Sequence, residues 1–186
     1  ERVQMVRALK FNEKKLLKKT DFITWQVDEK GKQNEMMAKY GVKKREHYAL
    51  YNTLAQQART ISEKLKELPP NDPYRLNKTR ELLGKLYSIG IIASADSLER
   101  IGKLSASSFA RRRLPVVMKR MRMVQNVDQA SDYVEQGHVR VGVSLVTDPA
   151  FLVTRNLEDS ITWTRSSKIR AQVLDYNNSR DDFDLA

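Results

Sequence analysis

The residues best equipped for chemistry are Arg111, Arg112 and Arg113, followed at close spacing by Lys119, Arg120 and Arg122. Guanidinium and ammonium groups donate to phosphate oxygens and stay charged across the ordinary pH range, so the chemistry they offer is anion binding. At about 100° per residue, a helix over residues 112 to 122 gathers Leu114, Val117, Met118 and Met121 on one side. The cations take the remaining surface, with no carboxylate among them. Solvated helix faces ordinarily mix signs to limit self-repulsion, so a wholly cationic face fits a phosphate backbone better. Neutralising about six phosphates would give log affinity a slope of roughly −4 to −5 against log salt.

Further candidates lie on either side of this row. His138 directly follows Gly137 and stands beside Arg140. Both read either as surface strand residues or as contacts to a sugar or base, by donation or stacking. Gln125 and Asn126 read first as helix-capping residues and second as RNA contacts. Lys14, Lys15, Lys18 and Lys19 lie in a basic arm, which reads as a solvated helix or as a segment that lies along RNA. Trp25 and Trp163 suit core positions, with base stacking as the alternative.

Catalytic chemistry is missing. Histidine occurs only at His47 and His138 and there is no cysteine, so disulfides, thiolate metal sites and two-histidine metal motifs are excluded. No phosphate loop, dinucleotide fingerprint or nucleophile elbow is present. We therefore expect no catalytic residue, no metal, no cofactor and no small-molecule substrate. A formal charge of +11 points to an acidic partner, nucleic acid before membrane. The membrane reading is weaker because no apolar run of about 18 residues exists. The charge also reverses along the chain, ending in Asp181, Asp182 and Asp184. That end reads as a solubilising tail or as a docking peptide offering Phe183 and Leu185 to a groove on a partner protein.

The elements that must position these groups follow from periodicity and punctuation. Residues 1 to 20 form the basic arm, within which Glu1 to Gln4 are set aside as preceding a start at Met5. Residues 21 to 106 read as helical. Tyr51, Leu54, Ala58, Ile61, Leu65 and Leu68 recur at helical spacing from His47, and Pro69-Pro70 stops the run. A second helix spans residues 73 to 88, with Asp72 as N-cap, Pro73 at its first position and Gly90 as its stop. Its expected apolar side is Leu76, Leu82, Leu83, Leu86 and Tyr87. Ser94 to Ser97 resembles a further helix start, and Ser105 to Ser108 a loop before the basic helix. Asn126 opens a helix running to Gln136, and Gly137 ends it. Short strands follow at 138–141, 145–146, 151–154 and 160–164. The fold class is α+β, with residues 167 to 186 as a C-terminal tail.

Residues 107 to 166 resemble the RNA-binding domain of the small-subunit ribosomal protein S-four family. The resemblance rests on Arg113-Leu114, Ala130, Val134, Gly137, Val139 and Val141. It implies two short helices packed on a small antiparallel sheet. Pro115 stands where the family commonly has Asp, and Asn126-Val127 where it commonly has Ser-Arg, which removes one RNA contact from the turn. Residues 5–11, 14–19, 109–115, 148–155 and 181–185 extend the likeness nearly end to end. Over that span the chain resembles the S-four-like proteins of the U-three small nucleolar ribonucleoprotein. That likeness implies a non-catalytic ribosome assembly factor of the nucleus and nucleolus. Its implied partners are small nucleolar RNA, precursor ribosomal RNA and a scaffold protein of the small-subunit processome. Two alternatives stay open: a structural ribosomal protein, and a protein-interaction adaptor that works through its helical half.

Overall fold

The computed structural model describes residues 7–19 and 29–179, in two units that divide between Met36 and Met37. Trp25, Phe183 and Leu185 lie outside the described residues. In the first unit, α1 (Phe11–Lys19) starts where the Glu13 carboxylate accepts from the Lys10 amide at 2.8 Å and from Arg7 at 2.7 Å. A carboxylate in the first turn satisfies amides that have no partner within the helix. Helix α2 (Glu29–Lys39) follows and runs across the division.

The second unit begins with two long helices, α3 (Arg45–Glu67) and α4 (Pro73–Ile89). Their ends obey the punctuation in the sequence. Asp72 accepts from the Tyr74 amide at 2.9 Å, Pro73 occupies the first turn, and Gly90 closes α4 at φ +82°. The buried stripe of α3 differs from the expected one. Tyr51, Ala55, Ala58, Ser62 and Leu65 face inward, whereas Ile61 is 47% exposed. Small residues let neighbouring elements approach closely, and the Ser62 hydroxyl donates to the Leu98 carbonyl at 3.3 Å. On α4, Leu83 and Leu86 are buried, while Leu76 and Tyr87 are exposed. Leu83 and Leu86 join Ala58, Ile92, Ile101 and Leu104 in one apolar cluster. Ile101 lies on the short α5 (Glu99–Gly102).

Ser105 to Ser108 is not a loop. Residues 106–110 form α6 (Ala106–Ala110), whose Ala106, Phe109 and Ala110 are buried. The Phe109 ring stacks on Tyr51 with centroids 6.2 Å apart, an arrangement that adds to simple area burial.

The chain then builds the small α+β module. Helices α7 (Leu114–Arg120) and α8 (Val127–Glu135) pack together, and the three strands form one antiparallel sheet in the order β2-β1-β3. These are β1 (Val139–Val141), β2 (Ser144–Leu145) and β3 (Ile161–Trp163), with Arg140 opposite Leu145 and Thr162. Gly142 turns β1 into β2 at φ +61°, a backbone state that favours glycine. Leu114, Val117, Met118, Ala130, Val134, Val139, Val153 and Ile161 fill the core. Removing each of these side chains larger than Ala130 from water stabilises the module by about 1.5–3 kcal/mol. Trp163 packs at the edge of this core, with its ring 5.9 Å from Tyr133.

The expectation of a strand at 151–154 is corrected. Residues 151–154 add no strand to the sheet; Leu152 makes an isolated bridge to Arg113 instead. A short helix, α9 (Arg155–Glu158), follows it. The segment read as tail contains α10 (Lys168–Tyr176). Among the described residues no helix is long and apolar enough to cross a membrane.

Candidate nucleic-acid interface

The six cations expected to form one outward row are divided by the fold. Helix α7 starts at Leu114, two residues later than expected, because Arg113 is extended at φ −62°, ψ 142°. Arg112 and Arg113 therefore precede the helix, and both point inward. Arg112 is 4% exposed. Its Nε and Nη2 donate to the Val153 carbonyl at 2.9 and 2.6 Å, and its Nη1 donates to Glu158 at 3.0 Å. Backbone bonds reinforce the junction: the Val153 amide donates to the Arg112 carbonyl, and the Leu114 amide to the Phe151 carbonyl. Arg113 is 2% exposed, with Nη1 donating to the Tyr51 hydroxyl at 3.1 Å. Neither side chain lies on the surface expected of it.

Arg120 is exposed, yet it pairs with the other oxygen of Glu158. One carboxylate thus lies between two guanidinium groups. Desolvation lowers the pKa of Arg112, and the Arg155 charge lowers it further. Arg120 shifts the same way, by desolvation and then by repulsion from Arg112 and Arg155. Both groups remain cations at neutral pH.

Lys119 and Arg122 stay exposed at the C-terminal end of α7, where positive charge complements the helix dipole. Arg122 sits at φ +61°, with its amide donating to Lys119 and the Met123 amide to Met118. That is the usual helix-ending loop with arginine in the place glycine normally takes. A left-handed conformation costs an L-residue about 1–2 kcal/mol, so the side chain is held there at a cost to the fold. Such outliers concentrate at functional sites. Gln125 and Asn126 are exposed in the turn that follows, and Asn126 occupies the N-cap position of α8 without a side-chain cap bond.

His138 is half-buried. Its Nδ1 lies 3.1 Å from the Ser167 hydroxyl, and its ring meets Tyr133 edge-on. Arg140 is half-buried and donates from Nε to the Thr162 hydroxyl at 2.9 Å, across the β1–β3 pair. Lys14, Lys15, Lys18 and Lys19 are exposed along α1 in the first unit.

Arg111 separates from its two neighbours and joins a different group. Together with Arg100 and Lys103 it lines a cleft of about 560 Å³, alongside Ser105, Ser108 and the carboxylate of Glu99. Of the three cations, Arg100 has a carboxylate nearby, Asp96 at 3.6 Å. Arg100 and Lys103 were missed from sequence because they stand alone in a mixed-charge stretch. Their three-residue spacing on a helical turn ahead of a serine cluster was the available signal. Glu158 was missed as well, since a glutamate 46 residues beyond Arg112 looks like any surface acid. Among the described residues no group of histidine and carboxylate side chains could hold a metal ion.

Comparison with known proteins fits this geometry. The family described as "Ribosomal protein S4/S9 N-terminal domain" matches residues 8–111, and "S4 domain" matches residues 112–159. A Caenorhabditis elegans protein named "U3 small nucleolar ribonucleoprotein protein imp3" is 60% identical over 97% of this chain and 99% of its own length. The Saccharomyces cerevisiae protein named "U3 small nucleolar ribonucleoprotein protein IMP3" is 44% identical over 98% and 100%. A Picrophilus torridus "Small ribosomal subunit protein uS4" is 30% identical over 77% of this chain and 79% of its own. With a non-catalytic RNA-binding module as its second matched domain, the chain belongs to the ribosomal protein S4 family, in the group that carries the U3 small nucleolar ribonucleoprotein protein IMP3 name.

Proposed function

We propose that this protein is a non-catalytic RNA-binding component of the U3 small nucleolar ribonucleoprotein that acts in small-subunit biogenesis, in the nucleolus. The observation that carries the reading is an S4 domain whose exposed cations, Lys119 and Arg122, end α7 next to an open polar turn at Gln125 and Asn126. Relatives bearing the U3 name match almost the whole chain, whereas the ribosomal uS4 relative matches about three quarters of it. That coverage favours an assembly factor over a permanent ribosomal protein.

In the finer reading, the protein binds the small nucleolar RNA and promotes its pairing with precursor ribosomal RNA. A cationic surface lowers the repulsion between two approaching strands and holds one of them unstacked for pairing. Neither ATP nor a covalent step is needed. Contacts at Lys119, Arg122 and the Arg100–Lys103–Arg111 cleft are insensitive to base identity, so specificity comes from RNA shape or from a scaffold protein that delivers the chain.

The test is an annealing assay with the purified chain, the 5′ region of the small nucleolar RNA and a complementary precursor segment. Duplex formation should accelerate with the native chain and return to the uncatalysed rate with Lys119→Glu combined with Arg122→Glu. Equal acceleration by both proteins would overturn the assignment of this surface. No acceleration by the native chain would overturn the pairing role.

A further inference from the structure

Arg113 is a buried cation with incomplete partners, and its surroundings point outward to a ligand. Its Nη1 donates to the Tyr51 hydroxyl and lies 3.5 Å from His47 Nδ1, while its buried Nε meets no acceptor. No ion pair among the described residues involves it. Its neighbour Arg112 is equally buried but has a carbonyl and a carboxylate. A buried guanidinium left without an anion is strongly unfavourable, so the two differ in what they still require.

Arg113 lines a cleft of about 120 Å³, roughly four times the volume of a liquid water molecule. Lys43, Lys44 and His47 stand on the side given by the chain before and at the start of α3. Two carboxylates also line it, and both are engaged. Glu135 accepts from Lys43 at 3.2 Å, and Asp148 accepts from the Ala150 amide at 2.8 Å. Lys43 bridges Glu135 and Asp132, and those bonds raise its pKa. Lys44 is exposed and makes no ion pair among the described residues. Arg113, Lys44 and His47 are thus the groups left to meet an incoming anion.

We infer that this cleft is a phosphate site, and that its occupant is one backbone phosphate of the bound RNA. The site rests on the RNA-binding reading above and adds a place to it. The cleft draws Lys44 and His47 from the part matched by the S4/S9 N-terminal family and Arg113 from the S4 domain. A phosphate seated there touches both parts at once. It supplies the anion that the Arg113 guanidinium lacks among the described residues.

The experiment uses the full chain labelled for detection of arginine Nε–H resonances, with Arg113 assigned by Arg113→Lys. Inorganic phosphate, exchanged for chloride at constant ionic strength, should shift the Arg113 resonance saturably. Lys44→Ala should weaken that binding about two- to fivefold. RNA should move the same resonance, and Lys44→Ala should lower the salt slope of RNA affinity by about 1. A resonance that does not respond to phosphate overturns the site. So does RNA that binds by gel retardation while the Arg113 signal stays still, and in that case the RNA-binding reading survives. RNA that fails to bind at all removes both. A phosphoserine peptide that shifts the resonance where RNA does not would assign the cleft to a protein partner and overturn the inference.

Discussion

The two ends of the basic stretch carry the same charge and meet opposite fates. At residues 112 and 113 the guanidinium groups are drawn inside, one bonded to Val153 and Glu158 and the other to Tyr51. At residues 119 and 122 the cations remain in water at the end of α7. The difference comes from what lies opposite each position. Helix α7 buries Leu114, Val117 and Met118 against the sheet, which turns residues 119, 120 and 122 outward. The residues ahead of the helix run between α3 and the 151–154 segment, where carbonyl and hydroxyl acceptors are waiting. Net charge in a sequence therefore measures neither surface potential nor ligand contacts. Arginine in particular can serve as a structural cross-link, because its five donors fit several acceptors at once.

The comparison breaks most sharply at Arg112. Replacing it with Ala removes both bonds to the Val153 carbonyl and leaves Glu158 with Arg120 alone. We expect a loss of about 3–5 kcal/mol in urea unfolding, with RNA affinity per folded molecule unchanged. If RNA affinity falls while stability holds, the division drawn here between inner and outer cations is wrong. The opposite pattern is expected of Lys119→Glu with Arg122→Glu. RNA affinity should drop at least about tenfold and the salt slope by about 2, while stability stays within about 0.5 kcal/mol. Filter binding over a salt series measures both quantities.

Arg122→Gly sharpens the contrast at a single residue. Glycine relieves the left-handed strain, so the fold should be unchanged or gain up to about 1 kcal/mol while the salt slope falls by about 1. A destabilised variant would show that the arginine side chain supports the fold. The smallest effect belongs to Glu81, far along α4 from either set. Hydrogen bonds from Lys85 and then Lys78 lower its pKa to about 2. Its contribution is therefore complete above the unfolded value near 4.5 and fades as pH falls toward 2. Acid titration of Glu81→Gln should show a slightly smaller loss of stability over that window than the native chain.

Much of the architecture was legible because local chemistry dictates it. Pro69-Pro70, Asp72-Pro73 and Gly90 mark helix ends wherever they occur, and Gly137 before an alternating Val139-Arg140-Val141 announces a strand. On α3 apolar size does not mark burial. The observed interface uses Ala55 and Ser62, and Ile61 faces water. Helix α6 was hidden in the same way, in a serine-rich run whose Ala106, Phe109 and Ala110 are the buried part. The exposure of Lys119 is legible from helical spacing, whereas Arg122 lies beyond the end of α7. The burial of Arg112 and Arg113 is not legible, since their acceptors come from Tyr51, Val153 and Glu158, and nothing in the local charge pattern names partners so distant in sequence.

Arg155 gives the order of synthesis a physical meaning. Its guanidinium donates to the carbonyls of Tyr87 at 2.9 Å and Ile92 at 2.8 Å and lies 4.2 Å from the Tyr87 ring centre. The end of an early helix is thus finished by a group made more than sixty residues later. On a translating ribosome that helix end emerges with the Tyr87 carbonyl held by the Gly90 amide alone, and its second donor comes from the far part of the chain. Until Arg155 is made, the Tyr87 ring and the Ile92 carbonyl lack the guanidinium that the finished fold places against them.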